Sequence, residues 1–302
     1  MSLVVPGEVR DALAAGRPVV ALESTILTHG LPRPRNLDVA VDAEQRLRKA
    51  GAVPATVGVI DGAAVVGLTE EQVVRLTRED VAKLSVRDLP VAVAKGLSGG
   101  TTVAATALLA ERAGIAVFAT GGIGGVHGGA GFDESADLVT LAGVPITVVS
   151  AGVKSILDIP ATLERLESLS IPVVGFRTDR FPAFYIADSG HALDHCVDSP
   201  REAAAVAAAR HRLGLRSAVL IANPVPRSQQ LPVELHERVV SEAWRAAREQ
   251  RIAGKDTTPF LLDHIARATD GRSIEVNIAV YRNNIAVGAE IAAEIAAGSG
   301  AG

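Results

Sequence analysis

The stretch that decides the fold is TTVAATALLAERAGIAVFATGG, residues 101–122. Its first part, TTVAATALLAERAG, is rich in alanine and leucine and has an apolar face, which predicts a helix. The segment IAVFATGG that follows is short and apolar and ends at glycines, which predicts a buried strand. A helix that leads directly into a buried strand is the repeating unit of an α/β protein.

The same alternation continues on both sides of this unit. Further strands are predicted in short apolar runs: RPVVALEST (17–25), PVAVAKG (90–96), ITVVSAG (146–152), IPVVGFR (171–177) and SAVLIANPVP (217–226). Helices are predicted in the longer amphipathic or alanine-rich segments: RPRNLDVAVDAEQRLRKAG (33–51), IPATLERLESLS (159–170), SPREAAAVAAARHRLG (199–214) and most of the chain from Pro232. We therefore predict a three-layer α/β/α fold with a largely parallel mixed sheet.

Two local signals refine this prediction. The Asp61-Gly62 pair lies between the apolar runs of ATVGVIDGAAVVGL (55–68), which predicts a hairpin at the edge of the sheet. Thr69, followed three residues later by Gln72, is typical of a capping box at the start of a helix. No charged or Pro/Ser-rich linker divides the chain. We expect a single domain over residues 1–302, with residues 296–302 as a flexible tail.

Composition narrows the classes of function. The chain has 302 residues, 48% of them hydrophobic, and a net charge of −4, which gives no sign of a nucleic-acid or membrane partner. A single cysteine, Cys196, excludes an intramolecular disulfide framework, and the first residues do not read as a signal peptide. We expect a cytoplasmic protein that acts on a small molecule.

The candidate site residues follow from the fold, because open α/β sheets bind ligands at the carboxyl ends of their strands. The polar residues just beyond the predicted strands are Glu23, Lys95, Thr120, Lys154, Arg177 and Asn223. Glu23 is either an acid or base or an ordinary exposed glutamate. Lys154 follows a buried run, where it either reaches water, pairs with Asp158, or serves as a nucleophile that forms a Schiff base.

The glycine-rich segment TGGIGGVHGGAGFDESADL, residues 120–138, also follows a strand. It does not match the dinucleotide fingerprint, because His127 stands where the third glycine is needed, and it contains no P-loop pattern. Asp133 and Asp137 are four residues apart, so on a helix both would lie on one face. Such a pair suits Mg²⁺ or Mn²⁺, or it simply favours a helix N-terminus.

The segment AKGLSGGTTVAAT, residues 94–106, is predicted to be strand, glycine turn and helix. The start of that helix offers N–H groups and hydroxyls, which is the chemistry of a phosphate site. Ordinary capping by Thr101 or Thr102 explains the same residues.

Several long stretches together resemble one family. They are ALESTILTHGLP, VAKLSVRDLP, AKGLSGGTTVAAT, VFATGGIGGVHGGAGFDESADL, SAGVKSILD, PVVGFRTDRFPAFY, LIANPVP and NIAVYRNNIAVGAEIA, and they extend from about residue 20 to residue 295. This set resembles pseudouridine-5′-phosphate glycosidase, also called the indigoidine-synthase-A-like family. One departure is that the segment between His127 and Phe132 is shorter than the family pattern.

The resemblance implies reversible cleavage of the C–C glycosidic bond of pseudouridine 5′-phosphate to uracil and ribose 5-phosphate. It implies that Lys154 is the Schiff-base nucleophile, Glu23 the acid/base, and Asp133 the ligand of one Mn²⁺ per subunit, with water completing the coordination. The substrate contacts it implies are Lys83, Val103, Ser135, Ala136 and Asp137, with Asn277 a candidate for the base and Thr102 and His127 candidates for the phosphate.

The resemblance also implies a homotrimer. Two other functions stay open at this point: a Schiff-base lyase or aldolase that acts on another sugar phosphate, and a non-catalytic sensor of sugar phosphates, which would not need Lys154.

Overall fold

The computed structural model describes residues 3–128, 133–252 and 257–299. Within these residues the strands are β1 Leu3–Val4, β2 Val19–Leu22, β3 Val53–Ile60, β4 Ala63–Val66, β5 Ala82–Leu84, β6 Gly99–Thr101, β7 Val117–Ala119, β8 Thr147–Ser150, β9 Val173–Phe176, β10 Cys196–Val197 and β11 Val219–Ala222. The helices are α1 Gly7–Ala14, α2 Arg35–Lys49, α3 Glu70–Arg78, α4 Leu89–Lys95, α5 Val103–Arg112, α6 Ala136–Leu141, α7 Ile159–Ser168, α8 Pro200–Arg212, α9 Val233–Glu249, α10 Thr257–Ala268 and α11 Arg272–Ser299.

The described strands form one mixed sheet. Its order is β1-β4-β3-β2-β7-β8-β11-β9-β10, with β6 paired to β3 and β5 paired to β6. The central pairs β3-β2, β2-β7, β7-β8 and β8-β11 are all parallel, and only β3-β4 and β3-β6 are antiparallel. The carboxyl ends of β2, β7, β8 and β11 therefore meet at one edge of the sheet.

Helices cover both faces of this sheet, and strand β2 shows why. Val19 and Ala21 point into the core on the side of α1 and α5. Val20 and Leu22 point into the core on the side of α2 and α11. A strand that buries both faces reads as a continuous apolar run, as the sequence suggested. The predicted three-layer α/β/α fold in a single domain is confirmed.

Both local signals are confirmed as well. The hairpin joins β3 and β4 in antiparallel register, with Ile60 opposite Ala63 across the Asp61-Gly62 turn. Thr69 caps α3 and accepts from the backbone N–H of Gln72, while the Gln72 side chain accepts from the backbone N–H of Thr69.

One predicted strand is wrong. The segment PVAVAKG lies in helix α4, which begins at Leu89, carries Pro90 in its first turn and ends before Gly96 in the left-handed conformation. Pro in the first turn and Gly after the last residue are the signals of a helix, and they outweigh the valines. Lys95 therefore does not follow a strand at the site edge; it lies exposed at the end of α4.

At the other end of the chain, α11 continues to Ser299, so residues 296–299 of the predicted tail are helical. Residues 300–302 lie outside the described part of the chain. Among the described helices, none is both long and apolar enough to span a bilayer.

Candidate active site

A pocket opens at the carboxyl edge of the central strands. Glu23 follows β2 directly, Lys154 lies four residues beyond the end of β8, and Lys83 belongs to the short strand β5. These three residues line one cavity, together with Thr25, Ile26, His29, Gly30, Gly121, Gly122, Phe184, Thr258, Pro259, Leu262 and Asn277. A concave site that combines apolar side chains with a few convergent polar groups is typical of small-molecule binding.

Glu23 is the buried carboxylate of this pocket, with 4% of its surface exposed. The hydroxyl of Thr25 donates to Oε2 of Glu23, and the hydroxyl of Thr120 donates to Oε1. Thr120 follows β7, the strand beside β2, so adjacent strand ends supply both groups. An ionised carboxylate is an acceptor only, and here each oxygen has a hydroxyl donor. The arrangement fixes the orientation of Glu23 in the pocket.

Helix α11 holds the strand end that carries Thr120. Asn284 is completely buried, and its side-chain amide donates to the carbonyl of Thr120 at 2.7 Å and to that of Gly121 at 3.1 Å. Its oxygen accepts from Asn223, which follows β11, at 2.9 Å. A chain of hydrogen bonds thus runs from β11 through α11 to β7 and on to Glu23.

The backbone around Lys154 is also fixed. Its N–H donates to the carbonyl of Ile123 at 3.1 Å, and its carbonyl accepts from Leu157 at 3.0 Å. Asp158 is engaged elsewhere, because it caps helix α7 and accepts from the N–H of Ala161 at 3.0 Å. Within the described residues no ion pair joins Asp158 to Lys154, so the pairing considered from the sequence is wrong.

Lys83 interacts electrostatically with the other charged residues of the site. Desolvation lowers the pKa of Lys83, and the positive charge of Lys154 lowers it further. The negative charges of Glu23 and Asp137 act in the opposite direction. Lys83 therefore lies within electrostatic reach of one other amine and of two carboxylates.

The glycines after β7 allow Phe184 to form a wall of the pocket. A Cβ added at Gly122 would lie 2.7 Å from the Phe184 ring, so only glycine lets the ring pack against this turn. Phe184 itself has a φ of 59°, an unusual backbone conformation for a large residue. Its N–H donates to the carbonyl of Ala151 at 3.2 Å, which anchors the segment beside the Lys154 strand.

Asp137 organises a second group of predicted residues next to this pocket. Its carboxylate accepts from the N–H of Gly124 at 2.8 Å and from the N–H of Ala104, in the first turn of α5, at 2.9 Å. Thr102 caps α5 and accepts from Ala105 at 3.4 Å, and Val103 is the buried first residue of that helix. The carboxylate of Asp137 thus already accepts from one of the N–H groups at the start of α5, where the sequence predicts a phosphate site.

Two further predicted residues begin helix α6. Ser135 caps it and accepts from the N–H of Asp137 at 3.2 Å, and Ala136 is its exposed first residue. Asp133 and Asp137 would share one helix face only if both were helical, and this condition is not met, because Asp133 lies before the helix begins. The segment before the helix is held by the backbone, because the N–H of Ser135 donates to the carbonyl of Gly125.

Asp133 faces solvent, with 63% of its side chain exposed, and its Oδ1 lies 3.4 Å from Nδ1 of His127. The described residues contain no group of three metal-ligating side chains. A single exposed carboxylate suits a hard ion that retains several waters, so this donor fits Mn²⁺ only in that form. The segment between His127 and Phe132, which we expect from the sequence to be short against the family pattern, falls largely on residues 129–132, and these lie outside the described part of the chain.

Comparison with known proteins now adds the family. The family model described as indigoidine synthase A like protein matches residues 8–294. The chain belongs to the indigoidine synthase A-like family. It is 67% identical to the pseudouridine-5′-phosphate glycosidase of Saccharopolyspora erythraea over 97% of this chain and 98% of that protein. It is 59% identical to the pseudouridine-5′-phosphate glycosidase of Frankia alni over 96% of this chain and 81% of that protein.

Solved structures of the family agree with the fold. The prealnumycin C-glycosynthase AlnA, determined in complex with ribulose 5-phosphate, matches with a TM-score of 0.91 and 37% identity over 99% of this chain and 98% of that one. An indigoidine synthase A-like protein of Thermotoga maritima matches with a TM-score of 0.90 and 35% identity over 97% and 96%.

Of the residues predicted from family resemblance, the structure brings four to the pocket: Glu23, Lys83, Lys154 and Asn277. Asp137 and Ser135 lie around Gly124, and Thr102 and Val103 begin α5 nearby. The sequence did not predict the contribution of Phe184, nor that of three residues of α10 that form another wall of the pocket: Thr258, Pro259 and Leu262. Phe184 lies in a stretch that resembles the family, but α10 offered no polar signal.

Proposed function

We propose that this protein cleaves, reversibly, the C–C glycosidic bond of pseudouridine 5′-phosphate to uracil and ribose 5-phosphate through a Schiff base on Lys154. The observation that carries the proposal is the shared pocket of Lys154, Glu23 and Lys83 at the carboxyl edge of the sheet. Curated relatives named pseudouridine-5′-phosphate glycosidase, up to 67% identical over nearly the whole chain, support the substrate.

In the proposed cleavage, the neutral amine of Lys154 attacks C1′ of the ribose. The C1′–N bond forms as the C1′–O4′ bond breaks, and O4′ takes a proton. Protonation of uracil at C5 then lets the C1′–C5 bond break, while the nitrogen lone pair forms the C1′=N bond of an iminium. Water hydrolyses the iminium, which releases ribose 5-phosphate as the aldehyde and restores the amine.

Glu23 is the proposed proton carrier for these steps. A carbon–carbon bond to a uracil ring has no good leaving group until the ring carbon is protonated. Glu23 is buried in the same pocket as Lys154, and the hydroxyls of Thr25 and Thr120 hold its carboxylate in place. A fixed carboxyl that alternates between its two protonation states meets the need for both proton delivery and proton removal.

Lys83 and Asn277 are proposed to orient the substrate. Oδ1 of Asn277 is buried in the pocket and has no hydrogen-bond partner among the described residues, so it can accept from an N–H of uracil. Lys83 offers a positive charge to an anionic substrate. The remaining residues of the proposed substrate site are assigned by family resemblance: Thr102, Val103, His127, Ser135, Ala136 and Asp137.

We place the proposed Mn²⁺ at Asp133, with water completing its coordination. When bound, the ion would supply positive charge beside the anionic substrate. The test is removal of metal with a chelator followed by addition of Mn²⁺, and loss with recovery of activity is expected. Full activity of the metal-free protein would show that Asp133 does not hold a metal ion needed for the reaction.

A homotrimer in the cytoplasm is proposed by resemblance alone.

The assay that tests the function is release of uracil from pseudouridine 5′-phosphate, followed by its absorbance. The Lys154→Ala variant is expected to lose activity by at least a thousandfold. Lys95→Ala is the matched control, because Lys95 is exposed at the end of α4 and lies away from the pocket. Release of uracil by the Lys154→Ala variant at the native rate would contradict the proposal.

A further inference from the structure

A groove lies at the opposite edge of the sheet from the pocket. It runs between α8 and α11 and reaches Ala116, which precedes β7, and Thr147, the first residue of β8. Since β7 and β8 are parallel, these residues mark the amino ends of the strands that carry Thr120 and Lys154 at their other ends. The groove is therefore separate from the proposed active site.

Thr147 brings an unpartnered donor into this groove. The residue is completely buried, and its hydroxyl has no hydrogen-bond partner among the described residues. Buried hydroxyls nearly always have a partner, because leaving one unpaired costs about 1–3 kcal/mol. The described residues thus leave this hydroxyl available to a bound partner.

Arg210 lines the same groove from the last turn of α8. Its Nε and Nη1 atoms are buried, and neither has a hydrogen-bond partner among the described residues. Burial lowers the pKa of Arg210, and Glu111 on α5 only partly offsets that effect. No ion pair within 4.0 Å satisfies this guanidinium in the part of the chain that the structure describes. A guanidinium with two buried free N–H groups is a ready partner for an oxyanion.

The surrounding charges favour an anion as well. Arg201, His211 and Arg212 line the groove from α8, and Glu294 lines it from α11. Glu111 acts on Arg210 from α5, on the other face of the sheet. Three arginines therefore face two glutamates, which leaves the groove with a positive balance.

We propose that this groove binds a phosphate-type oxyanion through the guanidinium of Arg210 and the hydroxyl of Thr147, at a site distinct from the catalytic pocket. Arg210 offers its Nε and Nη1 atoms as donors and Thr147 offers its hydroxyl, and all three lack a hydrogen-bond partner among the residues that the structure describes. Free phosphate and the phosphate group of a sugar phosphate share the chemistry that this set of donors recognises.

The experiment is calorimetric titration of the full chain with inorganic phosphate, repeated with ribose 5-phosphate. The Thr147→Val and Arg210→Met variants are each expected to lose about tenfold in affinity at one binding step. Arg216→Met is the matched control: Arg216 is exposed and outside the groove, and the variant, which loses the same charge, is expected to bind like the native protein.

The two titrations separate the sources of the ligand. If the variants lose a binding step with both ligands, the groove recognises the phosphate group alone. If they lose it only with ribose 5-phosphate, the ligand of the groove is a sugar phosphate. Thr147→Val keeps the size of the side chain, so it decides the question if Arg210→Met does not fold. Identical titration curves for the native, Thr147→Val and Arg216→Met proteins would overturn the proposal.

Discussion

The hydroxyl of Thr120 donates a hydrogen bond to Oε1 of Glu23, although the two residues lie 97 positions apart in the chain. The contact exists because β2 and β7 are parallel neighbours, so the residues that follow them meet at one edge. Thr120 is completely buried and does not line the pocket. It therefore acts on the substrate only through the orientation of Glu23.

Loss of the Thr120 hydroxyl should impair the proposed catalysis while leaving the fold intact. Thr120→Val is expected to lower kcat for uracil release by about tenfold, because one donor to the carboxylate disappears. Thr120→Ser, which retains the hydroxyl, should recover most of the activity. Equal kcat values for the Val and Ser variants would show that the hydroxyl is irrelevant.

Asn284 should act on Glu23 indirectly, through the backbone that carries Thr120. Asn284→Asp replaces the amide that donates to the Thr120 and Gly121 carbonyls with an oxygen that cannot donate when ionised. We expect kcat to fall at least tenfold with a smaller change in KM. The adjacent Asn283→Asp is the control, because Asn283 donates to the carbonyl of Pro224 instead. If both variants lose activity equally, the effect lies in α11 as a whole.

Gly124 should tolerate no side chain. A Cβ at this position would overlap the Ser135 side chain and lie 2.8 Å from Oδ2 of Asp137. Gly124→Ala is therefore expected to displace the segment that carries Ser135 and Asp137, lower the melting temperature and abolish uracil release. At Gly128 an added Cβ meets no atom of the described residues within 4 Å, so Gly128→Ala should behave like the native protein. Native activity in Gly124→Ala would show that this close packing is not needed.

His236 should make the fold sensitive to acid. Burial lowers the pKa of His236 from 6.5 to about 4, so the unfolded chain takes up its proton first as the pH falls. Stability is unaffected by this group above pH 6.5 and is lost progressively between pH 6.5 and 4. The expected loss is about 2 kcal/mol between pH 7 and pH 5.

Chemical denaturation at both pH values measures this loss. His236→Leu should reduce the difference between pH 7 and pH 5 by that amount, whereas His195→Leu, at an exposed histidine, should leave it nearly unchanged. An unaltered pH dependence in His236→Leu would contradict the assignment.

The fold was largely predictable from sequence because its strands are short, apolar and separated by capped helices. The failure at PVAVAKG has a physical cause: alternating Val and Ala fit a buried strand and a buried helix equally well over seven residues. Pro90 and Gly96 carried the deciding information, as helix start and stop signals.

The site was predictable only where a polar residue follows a strand or lies in a family-like stretch. Glu23 and Lys154 follow strands, and the parallel order of the sheet brings them together. Phe184 and Leu262 reach the pocket from distant segments, and nothing in their local sequence shows that contact. For Asp158 the sequence fits both a helix cap and a pair with Lys154, and the structure shows the cap.

The central claim is that Lys154 forms the covalent bond with the sugar. The most direct measurement is treatment of the native protein with ribose 5-phosphate and sodium borohydride, followed by peptide mass spectrometry. We predict one reduced ribose-phosphate adduct, on Lys154, none on Lys95, and none in the Lys154→Ala variant. An adduct on Lys83 in place of Lys154, or no adduct in a protein that still releases uracil, would contradict it.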